Sequence, residues 1–263
     1  MAIKTKKFSR RSPIAAAIVV LAGLLVSGGT YVAATAAVTS TVKTEVDQAL
    51  VDSGKKLFLA NCASCHGKNA EGTAAAPTLI GVGAAAVDFQ VATGRMPAQA
   101  SGPQVEVKPV QFKQEDIDAM AAYVASLAPG PEVPTDAYLA QKGDATHGGE
   151  LFRINCAMCH NAVGAGGALT QGKYAPSLLK TSPKHIYEAM VTGPQNMPVF
   201  SNTNLSPEDK TDIITYLQYV QENPSVGGAE LGNLGPVVEG LLAWIGMLGL
   251  IVVITIWLGA KSN

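Results

Sequence analysis

The stretch LFLANCASCHG, residues 57–67, is repeated with few changes as LFRINCAMCHN, residues 151–161. Aligned over 13 residues from Gly54 and from Gly148, the two copies share 8 identities at an offset of 94 residues. Further matches follow in the same order: APTL and APSL, TGRMP and TGPQNMP, and an amphipathic helix that begins with acidic residues. The sequence therefore contains an internal duplication.

Each copy contains the motif Cys-x-x-Cys-His, and the two motifs hold all 4 cysteines of the chain. Two thiols on one helical turn can each bond a haem vinyl group, and the next residue then places its imidazole under the iron. We therefore predict two covalently bound haem c groups. The attachment cysteines and proximal histidines are Cys62, Cys65 and His66 in the first copy and Cys156, Cys159 and His160 in the second.

Other uses of paired cysteines fit this pattern less well. A zinc site made of two Cys-x-x-Cys pairs usually separates them by about 15 to 20 residues, whereas these pairs lie 94 residues apart. A thioredoxin-like redox pair needs a βαβ context, which neither segment shows. A disulfide framework would not place two cysteines this close together twice.

The sixth iron ligand separates an electron carrier from an enzyme. Met96 lies 30 residues after His66, and Met197 lies 37 residues after His160; a proline follows each methionine. A thioether ligand would raise the reduction potential and close the iron to substrates, so we predict Met96 and Met197 as ligands. The alternatives are Met120 and Met190, whose apolar helical setting favours packing, His147 and His185, or an open iron site.

The fold class predicted from these patterns is all-α. Each copy is expected to contain a helix, a haem loop, an irregular segment with Met-Pro, and a closing helix, QEDIDAMAAYVASL or SPEDKTDIITYLQYV. Acidic residues in the first turn of each closing helix suit the helix dipole. Because long loops are hard to stabilise in so small a unit, we expect the apolar macrocycle to supply part of the core.

Two uncharged runs predict membrane segments. The run from Ser12 to Val42 follows five basic residues, which favours a cytoplasmic N-terminus, and it is either a retained anchor or a cleaved export signal. The run from Gly240 to Ala260 can cross about 30 Å of hydrocarbon. Trp244 and Trp257 near its ends suit the two interfaces, so we predict a stop-transfer anchor with a cytoplasmic C-terminus.

The predicted division of the chain follows from these features. Residues 1–42 form a hydrophobic signal or anchor, 129–147 and 223–236 are linkers, and 237–260 is a transmembrane helix. We call residues 43–128 the first repeat and residues 148–222 the second repeat. Residues 39–236 hold 13 Lys+Arg and 19 Asp+Glu, a net charge of −6. This charge argues against a nucleic-acid partner and favours basic patches on other proteins.

Each repeat resembles a class I cytochrome c domain. The resemblance rests on the Gly-x-x-x-Phe helix, the CASCH or CAMCH motif, an Ala-Pro pair, the Met-Pro pair, and a tyrosine in the closing helix. It implies that the carbonyl of the proline accepts the ring proton of the haem-ligand histidine, and such bonds orient and tune a metal ligand. The residues that carry it are Gly54, Phe58, Pro77 and Tyr123 in the first repeat and Gly148, Phe152, Pro176 and Tyr216 in the second.

The whole arrangement resembles the dihaem cytochrome cc subunits of actinobacterial cytochrome bcc complexes, which oxidise menaquinol. The resemblance implies an electron-transfer subunit that does not hold the quinol site, with haem domains on the extracytoplasmic face of the cell membrane. The implied partners are a cytochrome b subunit, a Rieske iron–sulfur subunit, a haem-copper oxidase that receives the electrons, and membrane lipid.

Three other functions remain open at this stage. An oxidase subunit of the cbb type also pairs two such domains with an anchor, but that anchor is N-terminal. A membrane cytochrome fed by a periplasmic dehydrogenase differs only in its electron donor. A dihaem enzyme of the peroxidase type needs a displaceable ligand at one iron, which two methionine-ligated haems would not provide.

Overall fold

The computed structural model describes residues 13–41, 47–100, 102–223 and 236–261. The basic cluster before the first apolar run and most of the 223–236 linker lie outside these ranges. The chain divides into two compact units, Met1–Gln48 and Ala49–Asn263. Within the described residues the regular elements are eleven α-helices, one 3-10 turn and one two-stranded hairpin, so the predicted all-α class is confirmed.

Both apolar runs form helices. α1 (Pro13–Thr41) contains the candidate membrane span Ile14–Tyr31, and α11 (Pro236–Lys261) contains the candidate span Val238–Ala260. Neither span has any of its length buried against protein. Helices that expose apolar side chains on all sides are suited to lipid. Their length and composition support membrane anchoring, and for α1 an anchor and an export signal both fit.

The first repeat is built from four helices around a small core. α2 leads into the one-turn helix α3, α4 follows the haem loop, and α5 closes the repeat, with Glu115 and Asp116 in its first turn. Acidic side chains there interact favourably with the positive end of the helix dipole. The helices are α2 (Gln48–Asn61), α3 (Ala63–His66), α4 (Gly83–Ala92) and α5 (Gln114–Leu127).

The second repeat has the same order of helices and an additional hairpin. α10 begins with a capping box, because Ser206 Oγ accepts the Asp209 amide proton and the Asp209 carboxylate accepts the Ser206 amide proton. Strands β1 and β2 pair in antiparallel register and are joined by a 3-10 turn. The elements after the short linker helix α6 (Asp136–Leu139) are α7 (Ala145–Asn155), α8 (Ala157–His160), β1 (Gly167–Ala168), β2 (Tyr174–Ala175), α9 (Pro183–Thr192) and α10 (Pro207–Glu222).

A close helix crossing organises each repeat. A Cβ atom on Gly54 would lie 1.8 Å from the carbonyl oxygen of Ala119 in α5, and one on Gly148 would lie 1.9 Å from that of Asp212 in α10. Only glycine permits such a contact between backbones. One helical turn further along, the ring centroids of Phe58 and Tyr123 lie 5.3 Å apart, and those of Phe152 and Tyr216 lie 5.6 Å apart.

The two repeats contact each other directly. α4 of the first repeat packs against α5 of its own repeat and against α9 of the second. The side chain of Gln104 donates to the Tyr174 carbonyl oxygen at 2.9 Å and accepts the Tyr174 amide proton at 2.8 Å. A side chain that pairs with a strand in this way fixes the distance between the two segments.

Several elements differ from the sequence-based expectation, among them the β1–β2 hairpin of the second repeat. The segments expected to be irregular contain α4 and α9, and residues 129–147, which were predicted as a linker, contain α6. α9 has an identifiable start, since Ser182 caps the helix and Pro183 occupies its first turn. α6 is likewise capped by the side chain of Thr135. α4 has no side-chain cap, and its helical form depends on packing against α5 and α9.

Candidate haem sites

The two Cys-x-x-Cys-His motifs adopt the same backbone conformation. In the first repeat the carbonyl oxygen of Cys62 accepts the amide protons of Cys65 at 3.2 Å and His66 at 3.0 Å. The corresponding bonds in the second repeat measure 3.1 and 2.9 Å. In each pair the second cysteine is exposed and the first is more buried. The turn therefore brings both thiols of a motif next to the histidine that follows them.

A proline carbonyl orients each histidine. His66 Nδ1 lies 2.8 Å from the carbonyl oxygen of Pro77, and His160 Nδ1 lies 3.0 Å from that of Pro176. Because a carbonyl oxygen can only accept, each Nδ1 carries the proton and each Nε2 keeps its lone pair for a metal. Burial lowers the pKa of His160, although the Pro176 carbonyl opposes this effect. The neutral form is the one that binds iron.

A cavity of about 450 Å³ lies in the second repeat. We call it the second-repeat cavity. Its volume is within the range of about 300 to 1,000 Å³ that is usual for cofactor pockets. Its remaining walls include Phe152, Ile186 and Leu217, so an apolar macrocycle fits the site. The cavity is lined by all of the ligand and attachment residues expected in this repeat, which are Cys156, Cys159, His160 and Met197, and also by Pro176.

The corresponding residues of the first repeat lie close together around an apolar cluster. Cys62 and Met96 both pack against the buried group formed by Val91, Ile117 and Met120. His66 is 8% exposed and bonded to Pro77. A methionine sulfur and a cysteine thiol therefore border one apolar region, and the histidine next to that Cys-x-x-Cys pair is buried and oriented. These features are compatible with a haem.

The competing ligands occupy different positions. Met120 and Met190 are each 2% exposed and pack in the cores of their repeats. His147 Nδ1 lies 2.8 Å from the Asp212 carboxylate, and His147 is not among the residues that line the second-repeat cavity. Met190 and His185 do line it. In the second repeat, His185 is therefore the histidine that competes with Met197 by position.

The first cysteine of each motif is poorly suited to thiol chemistry. Burial raises the pKa of the Cys62 thiol, and burial together with Cys159 raises the pKa of Cys156 to about 12. A redox-active cysteine needs a lowered pKa, because the thiolate is the nucleophile. Among the described residues, the groups of side chains that could hold a metal ion contain no cysteine, so a shared zinc site has no support.

Sequence reasoning missed a buried charge cluster between the repeats. Asp88 in α4 is fully buried, and Lys184 Nζ lies 2.9 Å from its Oδ1 and 2.8 Å from its Oδ2. Gln114 also donates to Asp88 at 2.8 Å. Burial alone would raise the pKa of Asp88. The hydrogen bonds that it accepts from Lys184, Glu188 and Gln114 have the larger combined effect, so its pKa is lowered. The sequence feature that could have indicated this site is the lone aspartate in the apolar stretch GAAAVDFQVA, because an aspartate is seldom buried without a partner.

Glu188 in α9 completes the cluster. It is fully buried, and burial together with the Asp88 carboxyl raises its pKa to about 9. Glu188 is therefore neutral at pH 7, while Lys184 compensates Asp88. Asp88, His185 and Glu188 place ligand atoms within 4.8 Å of one another, but Lys184 and the proton on Glu188 already balance the buried charge.

Comparison with known proteins identifies both repeats. Residues 51–128 match the family model described as Cytochrome c, and residues 143–217 match the model described as Cytochrome C oxidase, cbb3-type, subunit III. A Cbb3-type cytochrome c oxidase subunit FixP of Rhizobium meliloti is 31% identical over 131 residues, which cover 46% of this chain and 43% of that protein.

Several relatives match over nearly their whole length, among them one from Mycobacterium tuberculosis and one from Corynebacterium efficiens. The Cytochrome bc1 complex cytochrome c subunit of Mycobacterium tuberculosis is 43% identical over 268 residues, covering 98% of this chain and 95% of that protein. Its counterpart in Corynebacterium efficiens is 42% identical over 277 residues, covering 99% and 93%.

Fold and site together define a c-type cytochrome with two domains and apolar terminal helices. The cavity, the oriented histidines and the duplicated attachment motif are features of a haem protein that transfers electrons. The full-length matches are more specific than the fold: the chain belongs to the family of cytochrome c subunits of actinobacterial cytochrome bc1 complexes.

Proposed function

We propose that the chain holds two covalent haem c groups, one in each of the domains 43–128 and 148–222. The cysteines supply the attachment points, and histidine and methionine are the axial ligands. The observation that carries this proposal is the duplicated turn in which a proline carbonyl orients the histidine ring. The residues are Cys62, Cys65, His66 and Met96 in the first repeat and Cys156, Cys159, His160 and Met197 in the second, with Pro77 and Pro176 behind the histidines.

The residues of the chain would hold each haem in a fixed and closed environment. A haem with histidine and methionine ligands supplies one-electron oxidation and reduction at a raised potential. The His66–Pro77 and His160–Pro176 bonds would keep the rings from turning, and the apolar walls of the second-repeat cavity would limit the access of water to its haem. A site that changes little when its charge changes is suited to carrying electrons, because little reorganisation is required.

We further propose that the chain carries electrons from the Rieske centre of a menaquinol-oxidising complex to a haem-copper oxidase. The names of the relatives support membership of a quinol-oxidising complex, in which a cytochrome b and a Rieske subunit would be neighbours. Direct contacts between the repeats would hold two haems in one body, so that one can face the donor and the other the acceptor. The helices α1 and α11 would confine the chain to the membrane and raise the local concentration of its partners.

In this arrangement the repeats lie on the extracytoplasmic face and the C-terminus is cytoplasmic. The quinol-oxidising site belongs to another subunit, and this chain takes part in the oxidoreductase as its electron-transfer component.

The number of haems can be counted with matched cysteine variants. We expect two haems per wild-type chain by alkaline pyridine absorption, and one each for Cys62→Ala/Cys65→Ala and Cys156→Ala/Cys159→Ala. Met158→Ala is the control, because Met158 lies inside a Cys-x-x-Cys motif but is 92% exposed. If either double cysteine variant kept two haems, the assigned attachment sites would be wrong.

The electron route can be tested on material purified from native membranes in mild detergent through a C-terminal tag. We expect b-type and a-type haem bands beside the c-type band in the reduced-minus-oxidised spectrum, and oxygen uptake when menaquinol is added. If c-type haem alone is recovered, the proposed route fails, and a carrier fed by a periplasmic dehydrogenase becomes the better explanation.

A further inference from the structure

Arg95 of the first repeat lines the cavity of the second. It directly precedes Met96, and it borders the second-repeat cavity together with Phe89 and Gln104 of the first repeat. The backbone here is well fixed, since the amides of Arg95 and Met96 both donate to the Gln90 carbonyl oxygen, at 2.9 and 2.8 Å. The guanidinium lies over the Phe89 ring, 4.9 Å from its centroid. The arginine is therefore held at the boundary between the repeats.

The described part of the chain offers the charge of this arginine no carboxylate counter-ion. Among the residues that the structure describes, no carboxylate lies within 4.0 Å of its guanidinium. Burial lowers the pKa of Arg95, an effect that nearby Tyr174 partly opposes, yet a guanidinium stays charged in proteins. A partly desolvated cation without an anionic partner is costly, so this position is suited to binding an anion.

The lining of the cavity as a whole is positively charged. Its lining includes Arg95, Lys173 and Lys180 but no aspartate or glutamate among the described residues. This lining contrasts with the net charge of −6 over residues 39–236. An apolar pocket with cations on its wall fits a ligand that is mainly apolar and carries carboxylates. A haem, with its two propionates, has this chemistry.

We propose that Arg95 of the first repeat binds a propionate of the haem in the second repeat. The inference rests on the proposed function, because it requires that haem to be present. Arg95 is then a positioning residue that raises the reduction potential of the second haem, since a fixed positive charge favours the reduced form. It also links the two sites, because its neighbour Met96 is the proposed ligand of the first haem.

The test is a redox titration of the full-length protein that follows the two haem components separately. Met197→His identifies the component of the second repeat, because loss of the thioether lowers its potential. In Arg95→Gln we expect the oxidised-to-reduced ratio of that component at fixed potential to rise about threefold to tenfold. At about 59 mV per tenfold for one electron, this is a fall of about 30 to 60 mV.

Two variants control for charge and for structure. Arg153→Gln removes the same charge from an exposed site on α7 that does not line the cavity, and we expect a much smaller shift. Arg95→Lys keeps the charge and should restore most of the potential. An unchanged second component in Arg95→Gln, a fall confined to the first component, or equal falls in Arg95→Lys and Arg95→Gln would each overturn the proposal.

A histidine variant keeps the test decisive if Arg95→Gln does not assemble. In Arg95→His the potential of the second component should change between pH 5 and pH 8 by more than in the wild type, because the ring charge is lost there. A dependence equal to that of the wild type would contradict the proposal. Absence of the second component from the wild-type titration would instead count against haem binding itself, so the two failures are distinguishable.

Discussion

The cores of the two repeats are built in the same way, but their connecting loops differ. In both, a glycine-mediated helix crossing and a Phe–Tyr pair stand behind the attachment motif. Pro77, however, follows His66 by 11 residues, while Pro176 follows His160 by 16. The extra length in the second repeat is the β1–β2 hairpin, whereas the first repeat has the longer segment between Met-Pro and its closing helix.

These two unequal segments contact each other. Gln104 lies in the long segment of the first repeat, and Tyr174 lies in the hairpin of the second. Duplication thus reproduced the features needed to hold a haem, and the repeats differ where they join. The site chemistry constrains the core of each repeat, while the contact between them requires two different surfaces that fit together.

The shared crossing should be the most sensitive feature. Replacing Gly54 or Gly148 with valine would push a side chain into a backbone carbonyl, so we expect a loss of more than about 4 kcal/mol and failure of that repeat to fold. Haem content and protease resistance of each repeat measure this. Gly102→Ala is the control, since a Cβ there meets its nearest neighbour at 3.6 Å. A tolerated valine in one repeat would show that the crossings are not equivalent.

The buried carboxyl of Glu188, which lies between the repeats, should make the free energy of unfolding depend on pH. Glu188 titrates at its usual 4.5 when unfolded and at about 9 when folded. Below pH 4.5 the carboxyl holds its proton in both the folded and the unfolded protein. Between pH 4.5 and pH 9 only the unfolded protein releases this proton. The free energy of unfolding therefore falls as the pH rises, by at most about 1.4 kcal/mol per pH unit.

Glu188→Gln should therefore flatten the fall in unfolding free energy between pH 5 and pH 9. Denaturant unfolding monitored across this range measures the effect. The control is Glu150→Gln on the exposed side of α7, which should leave the slope unchanged. Equal slopes in the wild type and in Glu188→Gln would mean that Glu188 is already ionised in the folded protein over this range.

The aromatic pairs should contribute equally in the two repeats. Phe58→Leu and Phe152→Leu each lose an aromatic contact and some packing, so we expect a loss of about 1 to 2 kcal/mol in either case. Tyr219→Leu, at a side chain that is 56% exposed, should change stability by less than about 0.5 kcal/mol. Thermal unfolding of the two repeats measures both losses. If the losses differed by more than twofold, the two aromatic pairs would not be equivalent.

The joint between the unequal segments should show the smallest effect. Gln104→Ala removes two hydrogen bonds to the Tyr174 backbone at a partly exposed site, and we expect a loss of about 1 kcal/mol. Faster hydrogen exchange at the Tyr174 amide would report the loosened contact. Gln141→Ala, at an exposed glutamine, is the control. Unchanged exchange in Gln104→Ala would mean that other contacts hold the hairpin.

Much of the fold and of the candidate site could be predicted from local patterns. Covalent attachment needs two thiols at a fixed spacing before a histidine, so the motif can be read without a structure, and long uncharged runs indicate membrane helices for similar reasons. α4 could not be found in this way, because it lacks a cap and has few polar residues to show a periodicity. The cluster of Asp88, Lys184 and Glu188 was also missed, since its members come from two repeats.

The printed sequence alone establishes the duplication, the haem-binding chemistry and the apolar terminal segments, because each depends on residues that are close together in the chain. Tertiary structure decided which surfaces of the repeats meet, which carboxyl keeps its proton, and that Arg95 faces the neighbouring cavity. Those features depend on burial and on distances between residues far apart in sequence, and the free energy of a charge is set by such surroundings.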